Sequence, residues 1–248
     1  MNKLPIIALT ASLSLGLSGC GDDEETVTPF NWTISDSNAK NVVGKVFSYE
    51  DSEGNATGTL TSDSSSDLKA SNNQRLFNAT LPCDKSGSVT SVYNGELFAD
   101  FTWSLTFNSC NDGLGEGPVS GNLTIANSID TPTTGDTTGM IDLNLTAEGF
   151  TITGDIDSTT YAADGSTETS FALGINATVG GSLTASTGTN FLTYFGDLYP
   201  SVGDMTITGP LNNSIIVTAI DSNDVQIEVD LGTDGIIESS EIVPWSSL

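Results

Sequence analysis

From about residue 40 onward, apolar and polar residues alternate with a period of two. "FTWSLTF" places Phe101, Trp103, Leu105 and Phe107 on one side, with Thr102, Ser104 and Thr106 on the other. "MIDLNLTAEGFTITGDID" repeats the pattern through Ile141, Leu143 and Leu145, then Phe150, Ile152 and Ile156. "VQIEVDL" does so again with Val225, Ile227, Val229 and Leu231. Such alternation predicts antiparallel strands with one face buried and one face wet. Clusters of Gly, Asn, Asp and Ser (NDGLGEGP, TPTTGDTTG, AADGST) interrupt the runs roughly every ten residues. This spacing predicts an all-β antiparallel meander of about ten to fourteen strands, forming a sandwich or a half-barrel. Helical signals are weak. The one candidate is "NFLTYFGDLY" from residue 190, and a strand fits that segment at least as well. The domain is expected to run from 39 to 248 as a single core, with TPTTGDTTG as a long loop inside it.

Composition then narrows the chemistry. The chain has 6 Lys plus Arg, 32 Asp plus Glu and no His, for a net charge of −26. No basic residue follows Lys85. Without His, the usual general base and the commonest metal ligand are missing, and a Ser/His/Asp or Cys/His arrangement cannot be built. Zinc chemistry is disfavoured for the same reason. Nucleic acid is excluded as a partner, because phosphate binding needs cationic side chains to release counter-ions. Neither a GxGxxG nor a Walker pattern occurs, so phosphorylated cofactors are not expected either. The balance leans against an enzyme.

The N-terminus is informative about location. A short basic start, MNK, leads into the apolar run LPIIALTASLSLGL and then LSGC, from Leu17 to Cys20. This layout is that of a secretory leader, too short and wrongly flanked for a membrane span. It resembles the lipobox of bacterial lipoproteins, and that resemblance implies removal of residues 1–19 and lipidation of Cys20 with diacylglycerol and a further acyl chain such as palmitate. Two or three chains on one residue suffice for stable anchoring. Gly21, and not Asp, follows the cysteine, which by the sorting rule of such lipoproteins points to the outer membrane; the periplasmic or surface face stays open. Residues 20–38 read as an acidic, extended tether beginning GDDEE. A transmembrane β-barrel would show the same alternation, but the aromatics do not recur at strand ends as girdles do.

Cys83 and Cys110 remain, and in an oxidising compartment an even pair reads as one disulfide. The alternative, a catalytic thiol, lacks a neighbouring His or Lys to lower its pKa.

The segment "VDLGTDGIIESSE", residues 229–241, fits most of a twelve-residue calcium loop counted from Asp230. Asp230, Asp234, Ile236, Glu238 and Glu241 fall at positions 1, 5, 7, 9 and 12, with Gly235 at the sharp turn and Ile237 as the apolar anchor. Gly232 stands where a third side-chain oxygen belongs, and a strand leads in where an EF-hand has a helix. A polar turn between strands is the favoured reading; weak calcium binding of the millimolar kind is the other. "GDID" sets Asp155 and Asp157 on one strand face about 7 Å apart, a pair more at home on a solvated surface than flanking a glycosidic bond.

Over most of its length the chain resembles a group of uncharacterised Gram-negative bacterial lipoproteins with Gly/Ser/Thr/Asn-rich β-strands. The resemblance rests on the lipobox, on Cys83 followed by "GSVTSV", on "LTFNSCNDG" around Cys110, on "GDMTITG" at 203–209 and on the C-terminal "VDLGTDGIIESSEIVPWSSL". It implies a β-rich extracytoplasmic lipoprotein and carries no assigned reaction. The expected function is a non-enzymatic structural or binding module, touching the membrane through its anchor, with an envelope protein, glycan or divalent cation as partner. Two alternatives stand beside it. One is a carboxylate-dependent hydrolase with aromatics such as Trp103, Tyr194 and Tyr199 around its cleft. The other is a carrier of apolar ligands in a half-open barrel.

Overall fold

The computed structural model describes residues 29–50, 78–83, 85–95, 100–111, 118–131, 134–145, 149–161, 164–232 and 234–248. The leader, Cys20 and the first part of the tether lie outside the described residues. Among the described residues one α-helix, α1 (Ala39–Glu50), precedes twelve strands. These are β1 (Ala79–Pro82), β2 (Ser86–Gly95), β3 (Phe101–Asn111), β4 (Val119–Thr131), β5 (Thr134–Leu145) and β6 (Phe150–Tyr161). Then follow β7 (Ser166–Ala177), β8 (Gly181–Tyr194), β9 (Val202–Thr208), β10 (Ser214–Ala219), β11 (Asp224–Asp230) and β12 (Ser239–Pro244). They form one sheet in strict sequence order, every neighbouring pair antiparallel. The all-β meander expected from the alternation is what the chain adopts. Among the described residues the pairing runs from β1 to β12 without joining those two strands to each other.

Register aligns the apolar positions into rows. Leu105 pairs with Leu123, Leu123 with Ile141, Ile152 with Ile175, and Ile175 with Leu183. Further along, Ala185 pairs with Ile207, Ile207 with Ile215, and Ile215 with Val229. A slip of one residue would turn every one of these side chains into water, so the core itself enforces the register. The other face carries hydroxyls and amides that bond across strands: Thr80 with Thr90 at 3.0 Å, Thr106 to Asn122 at 2.9 Å, Ser182 to Asn176 at 3.1 Å.

The helix is a departure from the sequence reading, which began the alternating domain at this point. Its apolar residues fall at Val42, Val43, Val46 and Phe47, an i, i+1, i+4, i+5 stripe that suits a helix and cannot serve a one-faced strand. Val42, Val43 and Val46 are buried in the same core as the strands. The acidic tether also ends earlier than 38. Trp32 is fully buried and Ile34 nearly so, because this segment runs over the strand ends as part of the fold. Trp32 N donates to Val179 O at 3.2 Å, and its ring packs edge-on against Phe150 with centroids 5.1 Å apart. Gly180 makes this approach possible: its φ is +98°, and a Cβ there would lie 2.4 Å from the Trp32 carbonyl carbon.

Because the sheet is a meander, its connections segregate to two ends. Segment 29–38 and the β1–β2, β3–β4, β5–β6, β7–β8, β9–β10 and β11–β12 turns share the proximal end. The remaining turns and the C-terminal residues share the distal end, toward which α1 runs. A twelve-residue helix is about 18 Å long, matching β9–β12 but not β4–β8, whose 12–14 residues span roughly 40 Å or more. Toward the distal end the inward row of β6 and β7 turns from apolar to hydroxyl. Ser158 meets Thr169 at 3.1 Å and Thr160 meets Thr167 at 3.3 Å.

Candidate functional site

Among the described residues, the β11–β12 turn at the proximal end is where three carboxylates with ligand chemistry converge. Asp230 closes β11 opposite Ser214, on the polar face, as alternation requires. Gly232 (φ +127°) and Gly235 (φ +71°) then reverse the chain in conformations that side-chain-bearing residues rarely adopt. Asp234 Oδ1 accepts from Ile236 N at 3.0 Å, an Asx turn. Glu238 Oε2 accepts from Leu231 N at 2.6 Å, while Glu238 N donates to Val229 O at 2.9 Å. Carboxylate oxygens of Asp230, Asp234 and Glu238 consequently lie within 4.8 Å of one another.

Three of the five residues of the calcium-loop pattern are thus brought together by their side chains. Glu241 is not among them. It sits within β12 opposite Ile227, past the point where the chain has returned to the sheet. Ile236 is exposed, and so is Ile237, where a calcium loop would bury its apolar anchor. The reason is the strand on each side: pairing from Val229–Ser239 onward fixes β12 before position 12 can fold back. Two of the three clustered carboxylates cap backbone N–H groups, which is the work of a polar turn. Asp230 Oδ1 differs, being shielded from solvent and without a hydrogen-bond partner. Three side-chain oxygens are well short of the six to eight that calcium takes, so only a weak, largely hydrated divalent cation suits this set.

Cys83 and Cys110 form a disulfide, with Cα atoms 5.5 Å apart, as expected from the pair. It clamps the proximal ends of β1 and β3 across β2, beside the bond from Lys85 N to Asn111 O at 2.9 Å.

Asp155 and Asp157 are both exposed on the polar face of β6, flanked by Met140 and Ala172 and by Thr138 and Ser170. The aromatics considered for a hydrolase cleft do not gather around them. Trp103 is buried in β3 and donates from Nε1 to Ser91 Oγ at 2.8 Å. Tyr199 stacks on Trp245 with centroids 6.1 Å apart and planes 8° apart, and Tyr194 ends β8 in solvent. A shallow hollow of about 280 Å³ lies at the distal end between β2 and β5, lined by Asn94, Asp100, Phe101, Asn127 and Asp136 among others.

Two carboxyls outside the β11–β12 turn titrate below their ordinary range. Asp164 is held down by hydrogen bonds from the Ser166 hydroxyl, at 2.6 Å, and from the Ser166 backbone. Asp221 is held down by the backbone N–H groups of Asn223 and Asp224, at 2.7 and 3.0 Å. Both are turn-capping residues, invisible as such in a pattern search, although D-G-S and D-S-N are common turn openings. Comparison with family profiles, with curated proteins and with solved structures returns no match.

Proposed function

We propose that this chain is a cell-envelope lipoprotein, anchored through Cys20 to the outer membrane, that works as a non-enzymatic structural or binding module. The observation that carries the module reading is the filled interior. Helix α1 lays Val42, Val43, Val46 and Phe47 into the apolar face, where Phe47 meets Phe171, Phe191 and Trp245 with ring centroids 5.2–6.1 Å apart. An apolar-ligand carrier needs that space empty, and a carboxylate hydrolase needs two acids facing one cleft. Asp155 and Asp157 instead share an exposed face. What this protein offers to others is its hydroxyl- and amide-rich outer face and its two sets of turns.

Anchoring suits the geometry. Residues 29–34 lie against the proximal turns, with Pro29 beside Gly149 and Ile34 beside Gly209. A chain tethered upstream of Pro29 leaves the distal end free to face outward. The resemblance to Gram-negative lipoproteins through "LSGC" and the C-terminal pattern supports the same reading. Among the described residues no helix is long and apolar enough to cross a membrane.

The test is Triton X-114 partitioning of the full-length chain expressed in a Gram-negative host, beside Cys20→Ser. Wild type enters the detergent phase and gains the mass of the acyl chains on its N-terminal peptide, and Cys20→Ser stays aqueous. A wild-type chain that stays in the aqueous phase with its leader intact overturns the anchor.

A further inference from the structure

The β8–β9 loop at the distal end holds an unusual set of side chains. Phe195 is 71% exposed and Leu198 79%, and the strand residues that flank the loop, Tyr194 at the end of β8 and Val202 at the start of β9, are 43% and 47% exposed. Single exposed apolar residues are ordinary on protein surfaces; several along one short stretch of chain mark an interaction site. The loop is also firmly held. Phe195 N donates to Gly165 O at 2.7 Å, Asp197 N to Tyr194 O at 3.0 Å and Ser201 N to Leu192 O at 2.9 Å. Tyr199 stacks on Trp245, fixing the loop to the C-terminal turn. A rigid loop that displays a phenyl ring and a leucine to water has already met the ordering cost of binding.

Charge identifies what this loop can receive. Residues 86–248 hold no Lys or Arg, so the loop and its neighbouring strands present only negative side chains. Asp197 lies in the loop and Asp164 in the adjoining β6–β7 turn, both exposed, with Glu168 paired to Leu192 on the neighbouring strand. Glu168, Asp136 and Asp164 together raise the Tyr161 hydroxyl above its ordinary pKa, chiefly through the Glu168 charge. A second copy of the chain would bring the same negative field, and an anionic lipid surface would be repelled equally. A cationic partner with an apolar side is attracted by both features.

We propose that the β8–β9 loop, with Phe195 and Leu198 at its tip and Asp164, Glu168 and Asp197 around it, is a docking surface for a basic, amphipathic segment of another protein. The apolar side chains of that segment cover Phe195 and Leu198, and its Lys or Arg side chains reach the carboxylates. This rests on the reading of the chain as a binding module and names the class of its partner. Rim charges of this kind speed association and make it sensitive to salt, whereas the apolar anchors set the lifetime of the complex.

The experiment measures binding of the full-length protein to three fluorescent peptides by anisotropy at 50 mM and 500 mM salt. One peptide combines Leu and Lys, one replaces Leu by Ser at equal charge, and one replaces Lys by Ser. The Leu/Lys peptide binds at least tenfold tighter than either control, and the higher salt weakens it. Phe195→Ser/Leu198→Ser lowers that affinity at least tenfold with an unchanged melting temperature, while Met140→Ser/Ile242→Ser, exposed elsewhere, leaves it intact. Should the double variant melt early, Leu198→Ser alone decides, since its side chain is the most exposed of the set. Equal binding of the Ser/Lys peptide, or full binding by the loop variants, overturns the proposal. So does sedimentation of the full-length Cys20→Ser protein with phosphatidylcholine vesicles in place of peptide binding, which would assign the loop to lipid. None of these results depends on Cys20: a protein failing the detergent partition yet binding the peptide loses its anchor and keeps its docking surface.

Discussion

Phe47 of α1 and Trp245 of the C-terminal turn meet edge to face, ring centroids 5.2 Å apart with an 80° interplanar angle. Trp245 is in turn fixed to the β10–β11 turn, its N donating to Asn223 O at 2.9 Å and its Nε1 to Asp221 O at 3.1 Å. The first described helix and the last residues of the chain are thus locked by one aromatic cluster that also holds Phe191 and, through Tyr199, the β8–β9 loop. Phe47→Ala and Trp245→Ala should each destabilise the protein by about 3–5 kcal/mol, the usual cost of emptying an aromatic site. Beyond this, a double-mutant cycle in urea should give a coupling of roughly 0.5–1.5 kcal/mol. Additive losses would show that the two rings are merely neighbours.

The disulfide acts on a different part of the molecule. Cys83 and Cys110 are 27 residues apart in sequence and close the β1–β3 end of the sheet. On the chain-entropy account, a loop of that size stabilises by about 3–4 kcal/mol. Cys83→Ser/Cys110→Ser should therefore lower the urea midpoint by the equivalent amount, and thiol titration of the unfolded, unreduced wild type should find neither cysteine free. β1 is only four residues long and lies at a sheet edge, so amide exchange should rise there first. Uniform exchange across the sheet after removal of the bond would contradict this account.

The meander was legible because each strand repeats one rule. In β11 the alternation of Val225, Ile227 and Val229 is unbroken, and the structure buries those three while half-burying the residues between. The disulfide was legible for a simpler reason, an even pair of cysteines left once Cys20 is read as part of the leader motif. α1 was missed because its stripe is short and its polar face, Lys40, Asn41 and Lys45, looks like the loops around it; only the adjacency of Val42 with Val43 betrays it. Trp32 and Ile34 fall in a tether whose reading comes from the acidic run Asp22 to Glu25 at its start, whereas their burial is decided by remote partners, Gly180 for Trp32 and Gly209 for Ile34. In the β11–β12 turn the spacing of acids brings Asp230, Asp234 and Glu238 together. Glu241 stays apart from them, because β12 pairing resumes at Ser239, a tertiary constraint that a twelve-residue pattern cannot carry.

Acid should affect this protein in two opposed stages. At neutral pH the net charge of −26 repels itself, so mild acidification toward the isoelectric point relieves strain on the compact state. Asp164 and Asp221 work the other way. Both have folded-state pKa values below the ordinary 3.8. The stability they add is thus present above about pH 4 and is lost as pH falls through their lowered values. The melting temperature should rise from pH 7 to about pH 5 and fall steeply below pH 4. Asp164→Asn/Asp221→Asn should melt lower than wild type at pH 5 and converge with it near pH 2. A difference that stays constant over the whole range would mean that these carboxyls hold their turns as neutral acceptors, without help from their charge.

The β11–β12 turn allows a last test, because its carboxylates are crowded. Asp230, Asp234 and Glu238 approach within 4.8 Å, and the Asp230 Oδ1 oxygen has no donor facing it. Two like charges at this separation in a largely aqueous setting cost on the order of 1 kcal/mol per pair. Asp230→Asn removes two such repulsions and adds an amide donor within reach of the other carboxylates, so it should raise stability by about 1–2 kcal/mol at low ionic strength. The gain should shrink in 0.5 M salt, where screening acts within a few ångströms. Glu238→Gln loses a charge-assisted bond to Leu231 N and should be neutral or worse, which separates repulsion from capping within one turn. The same variants are melted in several millimolar calcium and in chelator. A native-state ligand must raise the melting temperature. A calcium-dependent rise in wild type that Asp230→Asn abolishes identifies a weak cation site, and equal melts in both media identify a turn held by its own caps.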